Sequence, residues 1–322
     1  MQSNFQRKQI SVVTPCFNEA DNIDALCQRL QAVFRLHPEV DFVHLFIDNA
    51  STDDTVAKIR EQMQRDARIG LIVNMRNFGH VRSPFHGFMQ APGDAVIVMA
   101  SDLQDPPELI SQFIKAWQQG ALVVGGIKQS SKESRLFWLL RTAYYRALAK
   151  MSNVELTEHF TGFGLYDRRV VEDIRKAAHG YPYVRGMLAE LGYSITKVPF
   201  EQPLRTHGLT KNNFYTLYDM AMLGMVSHSK VPLRMAAMAG FVLSVISLLI
   251  SLAYLLLKLF FWDHFSFGIA PVLIGVFFLG SVQLFFIGLV GEYVGAIHTQ
   301  LDKHPIVIER ERVNVPERKR AD

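Results

Sequence analysis

The sequence predicts an α/β fold, a doubly wound and mainly parallel sheet, followed by a C-terminal transmembrane helical hairpin. Short apolar runs alternate with amphipathic stretches, several of the runs stop at polar residues, and two long uncharged stretches follow near the end. Alternating strand and helix patterns are typical of parallel sheets with helices on both faces. Uncharged stretches of more than ~20 residues can cross a bilayer as helices.

The first strand is predicted at residues 10–14, where an apolar run leads into Pro15. Asn18 and Glu19 follow, and an amphipathic helix is predicted at 20–34. A strand, a polar turn and a helix in this order place polar groups at the carboxyl end of the strand, where open α/β sheets bind ligands.

The second strand is predicted at 43–47 and ends at Asp48. Asp53 is expected to cap a helix at 54–65, so its role is structural. Asp48 ends a strand instead of starting a helix. It is therefore the better candidate for a site residue.

A third strand is predicted at 71–73 and a fourth at 95–99, which leads into Asp102 and Gln104. Two oxygen ligands at this edge suit Mg²⁺ or Mn²⁺ carrying a diphosphate. Asp105 stands before two prolines, so we expect it to cap the helix from Pro106.

Two uncharged stretches, 235–257 and 267–291, are predicted to cross a membrane. The alternative is a pair of buried core helices, but stretches this long and apolar all round are rare in soluble domains. The segment between them is too short for a domain, which favours a hairpin. The predicted parts are a cytosolic α/β domain at 1–211, an amphipathic interfacial helix and linker at 212–234, two transmembrane helices at 235–297 and a basic cytosolic tail at 298–322.

Charge predicts the orientation of the hairpin. Lys230 and Arg234 precede the first stretch and a basic tail follows the second, so both termini and the catalytic domain should face the cytosol at the plasma membrane. The N-terminus shows no signal peptide pattern. The formal net charge is +4, without a basic run interleaved with aromatics, so we expect no nucleic-acid partner. Cys16 and Cys27 are expected to be reduced.

Five motifs together resemble glycosyltransferase family 2, most closely its polyprenyl-phosphate glycosyltransferases, which include dolichol-phosphate mannose synthase. The resemblance covers nearly the whole chain. The motifs are PCFNE at 15–19, DNASTDDT at 48–55, RNFGH at 76–80, DLQDPPE at 102–108 and RTHGLTK at 205–211.

This resemblance implies a GT-A-like domain that binds a nucleotide sugar, with UDP-glucose or a related UDP-sugar as the expected donor. It implies transfer of one sugar to polyprenyl phosphate, undecaprenyl phosphate in a bacterium, with Mg²⁺ or Mn²⁺ as cofactor. We also expect a homo-oligomer. The implied nucleotide-sugar contacts are Pro15, Phe17, Asn18, Glu19, Asp48, Asn77, Gly79, Ser101 and Lys128. The implied catalytic residues are Asp102, Arg205 and Lys211, and the implied metal ligands are Asp102 and Gln104.

Some of these assignments have alternatives in the sequence. Asn77 and Gly79 could form an ordinary turn. A helical pattern at 134–151 could lie at the membrane interface, where Arg135 and Arg141 would hold the acceptor phosphate, or it could pack on the domain with its arginines in solvent.

The chain departs from the family pattern at three positions. Ala100 stands where the family usually has the first acid of Asp-x-Asp, Asn49 replaces the usual second acid after Asp48, and Gly162 stands where many relatives have an acid. Glu158 or His159 could take over as a base, or this segment could be a polar loop before a helix that Asp167 caps.

Three other functional hypotheses remain open from the sequence. The protein could extend a lipid-linked or polysaccharide acceptor, which requires a base to activate a hydroxyl group. It could be a non-catalytic membrane partner of a flippase or polymerase. It could also be an inactive family member, although the complete motif at 205–211 argues against that.

Overall fold

The computed structural model describes residues 7–130, 157, 160–177, 183–203, 231–260, 269–301 and 305–315. The chain divides into two compact units, each made of separate segments of the sequence. The first unit comprises Met1–Tyr145, Val154–Asn212 and Gln300–Asp322, and the second comprises Arg146–Asn153 and Asn213–Thr299.

Strands and helices alternate through the first unit, as the sequence pattern predicts. The first half contains β1 (Lys8–Cys16), α1 (Ala20–Leu36), β2 (Val40–Asp48), α2 (Thr55–Arg65), β3 (Ile69–Asn74), α3 (Gly79–Gln90), β4 (Ala95–Val98), a short 3-10 helix (Pro107–Leu109), α4 (Ile110–Gln118) and β5 (Val123–Ser130). The remaining elements are β6 (Phe160–Asp167), α5 (Arg168–Ala177), α6 (Val184–Glu190), β7 (Thr196–Glu201), α7 (Val231–Phe260), α8 (Ile269–Leu301) and β8 (Glu309–Val313).

The sheet has eight strands in the order β7-β5-β6-β4-β1-β2-β3-β8. Strands β4, β1, β2 and β3 are parallel neighbours, which confirms the predicted parallel sheet. Strand β6 runs antiparallel to β4 and β5, while β7 pairs parallel with β5. Because β6 is antiparallel, its beginning lies at the same edge as the carboxyl ends of β1 to β4.

Helices cover both faces of this sheet. Ile10 and Val12 of β1 belong to one buried cluster with α1, α2 and α4, whereas Val13 belongs to a second cluster with α3, α5 and α6. Successive side chains of a strand point to opposite faces, so a central strand that is buried on both sides is apolar throughout. Helix α3 packs closely, because a Cβ on Gly87 would lie 2.9 Å from side-chain atoms of Val13 and Ile47.

Strand β8 lies within residues 298–322, which the sequence predicts to be a basic tail. It pairs antiparallel with β3, with Leu71 opposite Val313, and so forms the edge of the catalytic sheet. Its residues, ERERV, alternate between exposed and partly buried positions. Charged side chains are common on edge strands. Arg60 of α2 forms an ion pair with Glu311 at 2.6 Å, and His86 of α3 lies 2.6 Å from Glu309.

The cap of α2 shows how neighbouring loops are joined. The helix begins at Thr55, one residue later than predicted, and the Asp53 carboxylate accepts a hydrogen bond from the Thr55 backbone N–H at 3.1 Å. The same carboxylate accepts one from Ala20 N–H at 3.3 Å. Asp53 is therefore structural, as predicted, and also ties the start of α1 to the start of α2.

Helices α7 and α8 of the second unit are long and apolar enough to cross a membrane. They contain the predicted span 235–257 and, from residue 269, most of the predicted span 267–291. Large apolar side chains are exposed along both, for example Phe241 at 70% and Leu284 at 71%. Exposed apolar area of this extent suits a lipid environment better than water.

Candidate active site

The loops after β1 and β2 are joined by Asn18, a predicted nucleotide-sugar contact. Its side-chain oxygen accepts a hydrogen bond from Thr52 N–H at 2.8 Å, and its own N–H donates to Ser51 Oγ at 2.9 Å. The backbone of Asn18 is in the left-handed region, with φ of 56°. Asparagine tolerates this conformation better than most residues. Glu19 N–H adds a bond to Thr55 Oγ1 at 2.9 Å, so the turn predicted to contact the nucleoside is preorganised.

Asp48 lies at the end of β2 as predicted, but its carboxylate is fully buried. It accepts hydrogen bonds from Ser51 N–H at 3.0 Å and from the Ser51 hydroxyl. These bonds hold the turn through Ala50, which has a left-handed backbone with φ of 62°. In this structure Asp48 shapes the loop, and direct contact with a nucleoside stays a prediction.

Asn49 lies at the centre of a hydrogen-bond network that the sequence analysis does not predict. Its amide donates to Asn77 Oδ1 at 2.8 Å and to the Gly79 carbonyl at 3.3 Å. Its oxygen accepts from Asn74 Nδ2 at 3.2 Å and from Phe78 N–H at 2.9 Å. A carboxylate at this position could accept but could not donate. The network therefore gives a physical reason for asparagine where the family usually has an acid.

Asn77 and Gly79 form a turn that leads into α3. The Asn77 side-chain oxygen also accepts from Gly79 N–H at 2.8 Å, and Gly79 has φ of 85°. Arg76 stacks over the Phe78 ring, with the guanidinium carbon 4.2 Å from the ring centroid. Because Asn49 fixes this turn from β2, the loops after β1, β2 and β3 form one connected edge.

Asp102 and Gln104 follow β4 at the same edge. The Asp102 carboxylate accepts a hydrogen bond from Gln104 N–H at 3.2 Å, and Leu103 between them has a left-handed backbone with φ of 59°. The Gln104 side-chain oxygen accepts from Gln202 Nε2 at 3.4 Å. Ser101 is buried. Asp102 and Gln104 are both partly exposed and line one cavity.

The prediction that Asp105 caps the helix from Pro106 is wrong. The helix that follows begins at Pro107 without a side-chain cap, and the Asp105 carboxylate instead accepts a hydrogen bond from the Ala100 N–H at 2.9 Å. Burial raises the pKa of this carboxyl group to about 7; the Ala100 hydrogen bond opposes that shift, Asp102 adds to it and Lys128 opposes it. Asp105 thus places a second carboxyl group close to Asp102, although position 100, where the family usually has an acid, is alanine in this chain.

The cavity has a volume of about 330 Å³ and continues from Asp102 towards β6 and α6. Polar groups, including Asp102, Gln104 and Asp105, lie on one part of its surface. Apolar and aromatic side chains form most of the rest, with Phe85 and Phe88 from α3 and Tyr166 from β6 among them. One cavity therefore offers oxygen ligands next to an apolar wall.

Gly162 lines this cavity, and the Tyr166 hydroxyl donates to its carbonyl at 2.8 Å. Its φ of 101° lies in a region that side chains rarely adopt. An acid at this position would therefore be strained in the present backbone. Asp167 accepts from Arg169 N–H at 3.0 Å and so caps α5, as in the alternative interpretation of this segment, but Phe160–Asp167 form a strand instead of a polar loop.

Lys128 lies on β5, and its positive charge is close enough to Asp105 to oppose the rise in the pKa of that carboxyl group. Both cysteines are free and buried, as expected.

The other predicted residues, Glu158, His159, Arg135, Arg141, Arg205 and Lys211, lie outside the described ranges.

The chemistry of the Asp102 region fits a divalent cation bound together with a diphosphate. Within the described ranges, no group of three His, Cys, Asp or Glu residues could enclose a metal ion alone. Asp102 and Gln104 supply hard oxygen ligands, and Mg²⁺ binds in this way when substrate phosphates and water complete its coordination.

Comparison with known proteins finds glycosyltransferases with similar sequences and a similar fold. A glycosyltransferase of Bacillus subtilis, YkcC, is 32% identical over 302 residues, which cover 93% of each chain. The SfII prophage-derived bactoprenol glucosyl transferase of Shigella flexneri is 32% identical over 299 residues, 92% of this chain and 96% of that one. Glucosyl-3-phosphoglycerate synthase from Mycobacterium tuberculosis shares the fold, with a TM-score of 0.50 at 17% identity over 70% of this chain and 81% of that one.

The sheet, its polar carboxyl edge and these relatives define a glycosyltransferase. The chain belongs to glycosyltransferase family 2, whose family model matches residues 11–175.

Proposed function

We propose that the protein transfers a single sugar from a nucleotide sugar to polyprenyl phosphate, with its catalytic domain at the cytosolic face of the membrane. The observation that carries this proposal is the shared cavity, in which Asp102 and Gln104 adjoin an apolar wall. The similar Shigella flexneri protein is named as a bactoprenol glucosyl transferase, which supports a polyprenyl acceptor.

The donor nucleoside would bind over the loops after β1, β2 and β3. Asn18, Asn49 and Asp48 hold these loops in place through the hydrogen bonds described above, so little ordering is needed when the donor binds. A UDP-sugar, with UDP-glucose or a relative of it first, is the donor that we propose.

Asp102 and Gln104 would hold Mg²⁺ or Mn²⁺, which neutralises charge on the diphosphate leaving group when it is bound. Lys128, Arg205 and Lys211 would add positive charge to the same diphosphate. Positive charge placed around a developing anion is a large source of rate enhancement.

The acceptor phosphate is already ionised near neutral pH, so the reaction requires alignment more than proton removal. This agrees with glycine at position 162, where no acid is available to act as a base. Direct attack of the phosphate oxygen on the anomeric carbon would form the new C–O bond as the bond to the nucleoside diphosphate breaks. The configuration of that carbon would be inverted.

Helices α7 and α8 would anchor the enzyme and bring it to its lipid acceptor. Basic residues flank both predicted spans, which supports a cytosolic location of the termini and the catalytic domain. We propose the plasma membrane as the location, with the bilayer itself as a partner and a homo-oligomer as the assembly.

A transfer assay tests the proposed function. Purified full-length protein would be given either undecaprenyl phosphate or a lipid-linked saccharide as acceptor, together with a divalent cation and each of several radiolabelled nucleotide sugars. We expect a lipid-soluble, mild-acid-labile monosaccharide product from one donor with undecaprenyl phosphate. Product only with a lipid-linked saccharide as acceptor would instead support the extending transferase, and no product with any donor would support the non-catalytic alternative.

A further inference from the structure

We infer that Arg185 binds the phosphate group of the lipid acceptor, and that the apolar wall beside it receives the first isoprene unit of the lipid chain. This inference rests on the proposed function. Arg185 is the second residue of α6 and lines the cavity that contains Asp102. Sequence analysis does not single it out, because neither its motif context nor its spacing distinguishes it from a surface arginine.

The order of the strands separates this region from the predicted donor site. Most of the predicted nucleoside contacts follow β1, β2 and β3, whereas the cavity, which Pro15 of β1 also lines, extends along β4 and β6, on the other side of β1 from β2. Asp102 follows β4 and lines the cavity at the boundary of the two regions. A sugar donor whose diphosphate lies at Asp102 would therefore leave the part of the cavity at β6 and α6 open for the second substrate.

The surface of the cavity suits a lipid better than a nucleotide. Val81, Pro84, Phe85 and Phe88 of α3 form one continuous apolar wall. A hydroxyl-rich sugar or a nucleoside would leave polar groups unpaired against this wall, at a cost in free energy. An isoprene unit has no such groups and gains from leaving water.

Arg185 supplies the cationic group that a phosphate requires in this cavity. Among the described lining residues it is the one that carries a positive side chain. Its Nη1 donates to the Phe160 carbonyl at 3.0 Å, and its guanidinium carbon lies 5.0 Å from the centroid of the Tyr183 ring. These contacts fix the plane of a group with five N–H donors, which matches the oxygens of a phosphate.

The surrounding charges also favour a cation at this position. Arg185 and Asp105 both act on the buried Tyr166 hydroxyl: burial raises the pKa of Tyr166, Arg185 opposes that shift and Asp105 adds to it. Asp105 and Arg185 therefore both lie near the Tyr166 hydroxyl in the lining of the cavity. A phosphate that enters next to two carboxylates, Asp102 and Asp105, needs a positive partner of this kind.

A binding experiment tests the inference without depending on the donor. Farnesyl phosphate would be titrated into detergent-purified full-length protein and followed by native mass spectrometry, with farnesol as the ligand that lacks the phosphate. We expect Arg185→Gln to weaken farnesyl phosphate binding on the order of tenfold to a hundredfold, the loss typical of a charge-assisted bond. Farnesol binding and UDP binding should not change.

Matched variants separate binding from a structural role. Arg169→Gln removes another arginine, 74% exposed and paired with Asp167, and should bind farnesyl phosphate like the wild type. Arg185→Lys keeps the charge and should bind more tightly than Arg185→Gln. Val81→Thr keeps the side-chain shape but adds a hydroxyl group to the wall, so it should weaken binding of farnesyl phosphate and farnesol alike, by several-fold.

Equal affinity of wild type and Arg185→Gln for farnesyl phosphate would overturn the inference. If Arg185→Gln does not fold, equal affinity of the wild type for farnesyl phosphate and farnesol, together with unchanged binding in Val81→Thr, would overturn it too. Sugar transfer is measured separately. A wild type that binds farnesyl phosphate through Arg185 but transfers no sugar would contradict the proposed function and leave the binding site standing.

Discussion

The Asn49 amide donates a hydrogen bond to the Asn77 side-chain oxygen at 2.8 Å, and this bond joins the loop after β2 to the loop after β3. Asn49 also accepts a bond from Phe78 N–H. A single side chain thus uses both its donor and its acceptor to hold the turn that leads into α3.

Asn49→Asp should therefore destabilise the protein, although it restores the acid that the family usually has. The carboxylate would face the Asn77 oxygen without a proton to share, and we expect a loss of about 1–3 kcal/mol in unfolding free energy. UDP affinity should fall as well, because the turn loses its position. Denaturant unfolding and UDP calorimetry measure both effects, with Asp54→Asn, at an exposed helix-start position, as control. Wild-type stability in Asn49→Asp would show that the bond is dispensable.

Asp102→Asn should fold normally but lose turnover by several orders of magnitude. The reason is that the amide removes the charge needed to hold a divalent cation with the diphosphate. Asp21→Asn, which changes an exposed acid in the first turn of α1, should retain full activity. Initial rates over a range of Mg²⁺ and Mn²⁺ concentrations check this. Near-normal turnover of Asp102→Asn would remove Asp102 from the metal site.

Arg205→Ala should reduce transfer on the order of tenfold to a hundredfold, because each charge-assisted contact to a phosphate in a closed site contributes about 1.5–3 kcal/mol. Affinity for UDP should fall in parallel, and Lys211→Ala should behave in the same way. Calorimetry with UDP and steady-state kinetics provide the measurements. Unchanged UDP affinity would exclude contact between Arg205 and the leaving diphosphate.

His44 should make the folded state sensitive to acid. Burial lowers the pKa of His44 to about 3, and the ring lies 3.0 Å from Thr14 Oγ1. In the unfolded chain the His44 ring binds a proton near pH 6.5, whereas in the folded chain it stays neutral down to about pH 3. The free energy of unfolding therefore falls as the pH drops from about 6.5 towards 3. The slope should approach about 1.4 kcal/mol per pH unit for this one group. Comparing unfolding of wild type and His44→Gln at pH 7 and pH 5 tests this, since the variant should lose less stability between them.

Much of the catalytic sheet could be predicted from the sequence because its signals are local. The runs before Pro15, Asp48 and Asp102 are mainly apolar, as expected of central strands that are buried on both faces, although Ser11, Thr14 and His44 are buried within them. Their polar ends lie at one edge because β1, β2 and β4 are parallel. For these residues, position along the strand was sufficient to indicate position at this edge of the sheet.

The errors and omissions arise where distant contacts override local patterns. Asp105 stands in a good position for a helix cap, but its carboxylate turns back to the Ala100 N–H. Arg185 lines the cavity beside the start of β6, where it donates to the carbonyl of Phe160, a residue distant from it in the sequence. Neither arrangement leaves a periodic signal in the sequence.

Strand β8 has a consequence for how the protein is made. Leu71 of β3 pairs with Val313, so the edge of the sheet is completed by a strand that is synthesised long after β3. Everything between them, including both apolar helices, must be synthesised first. Pairing over such a separation is slow, and until then β3 remains an open edge that can associate with other chains. If both helices span the membrane as proposed, a chain with only one of them inserted would hold β8 on the other side of the bilayer from β3, and correct insertion of the hairpin would be a condition for completing the sheet.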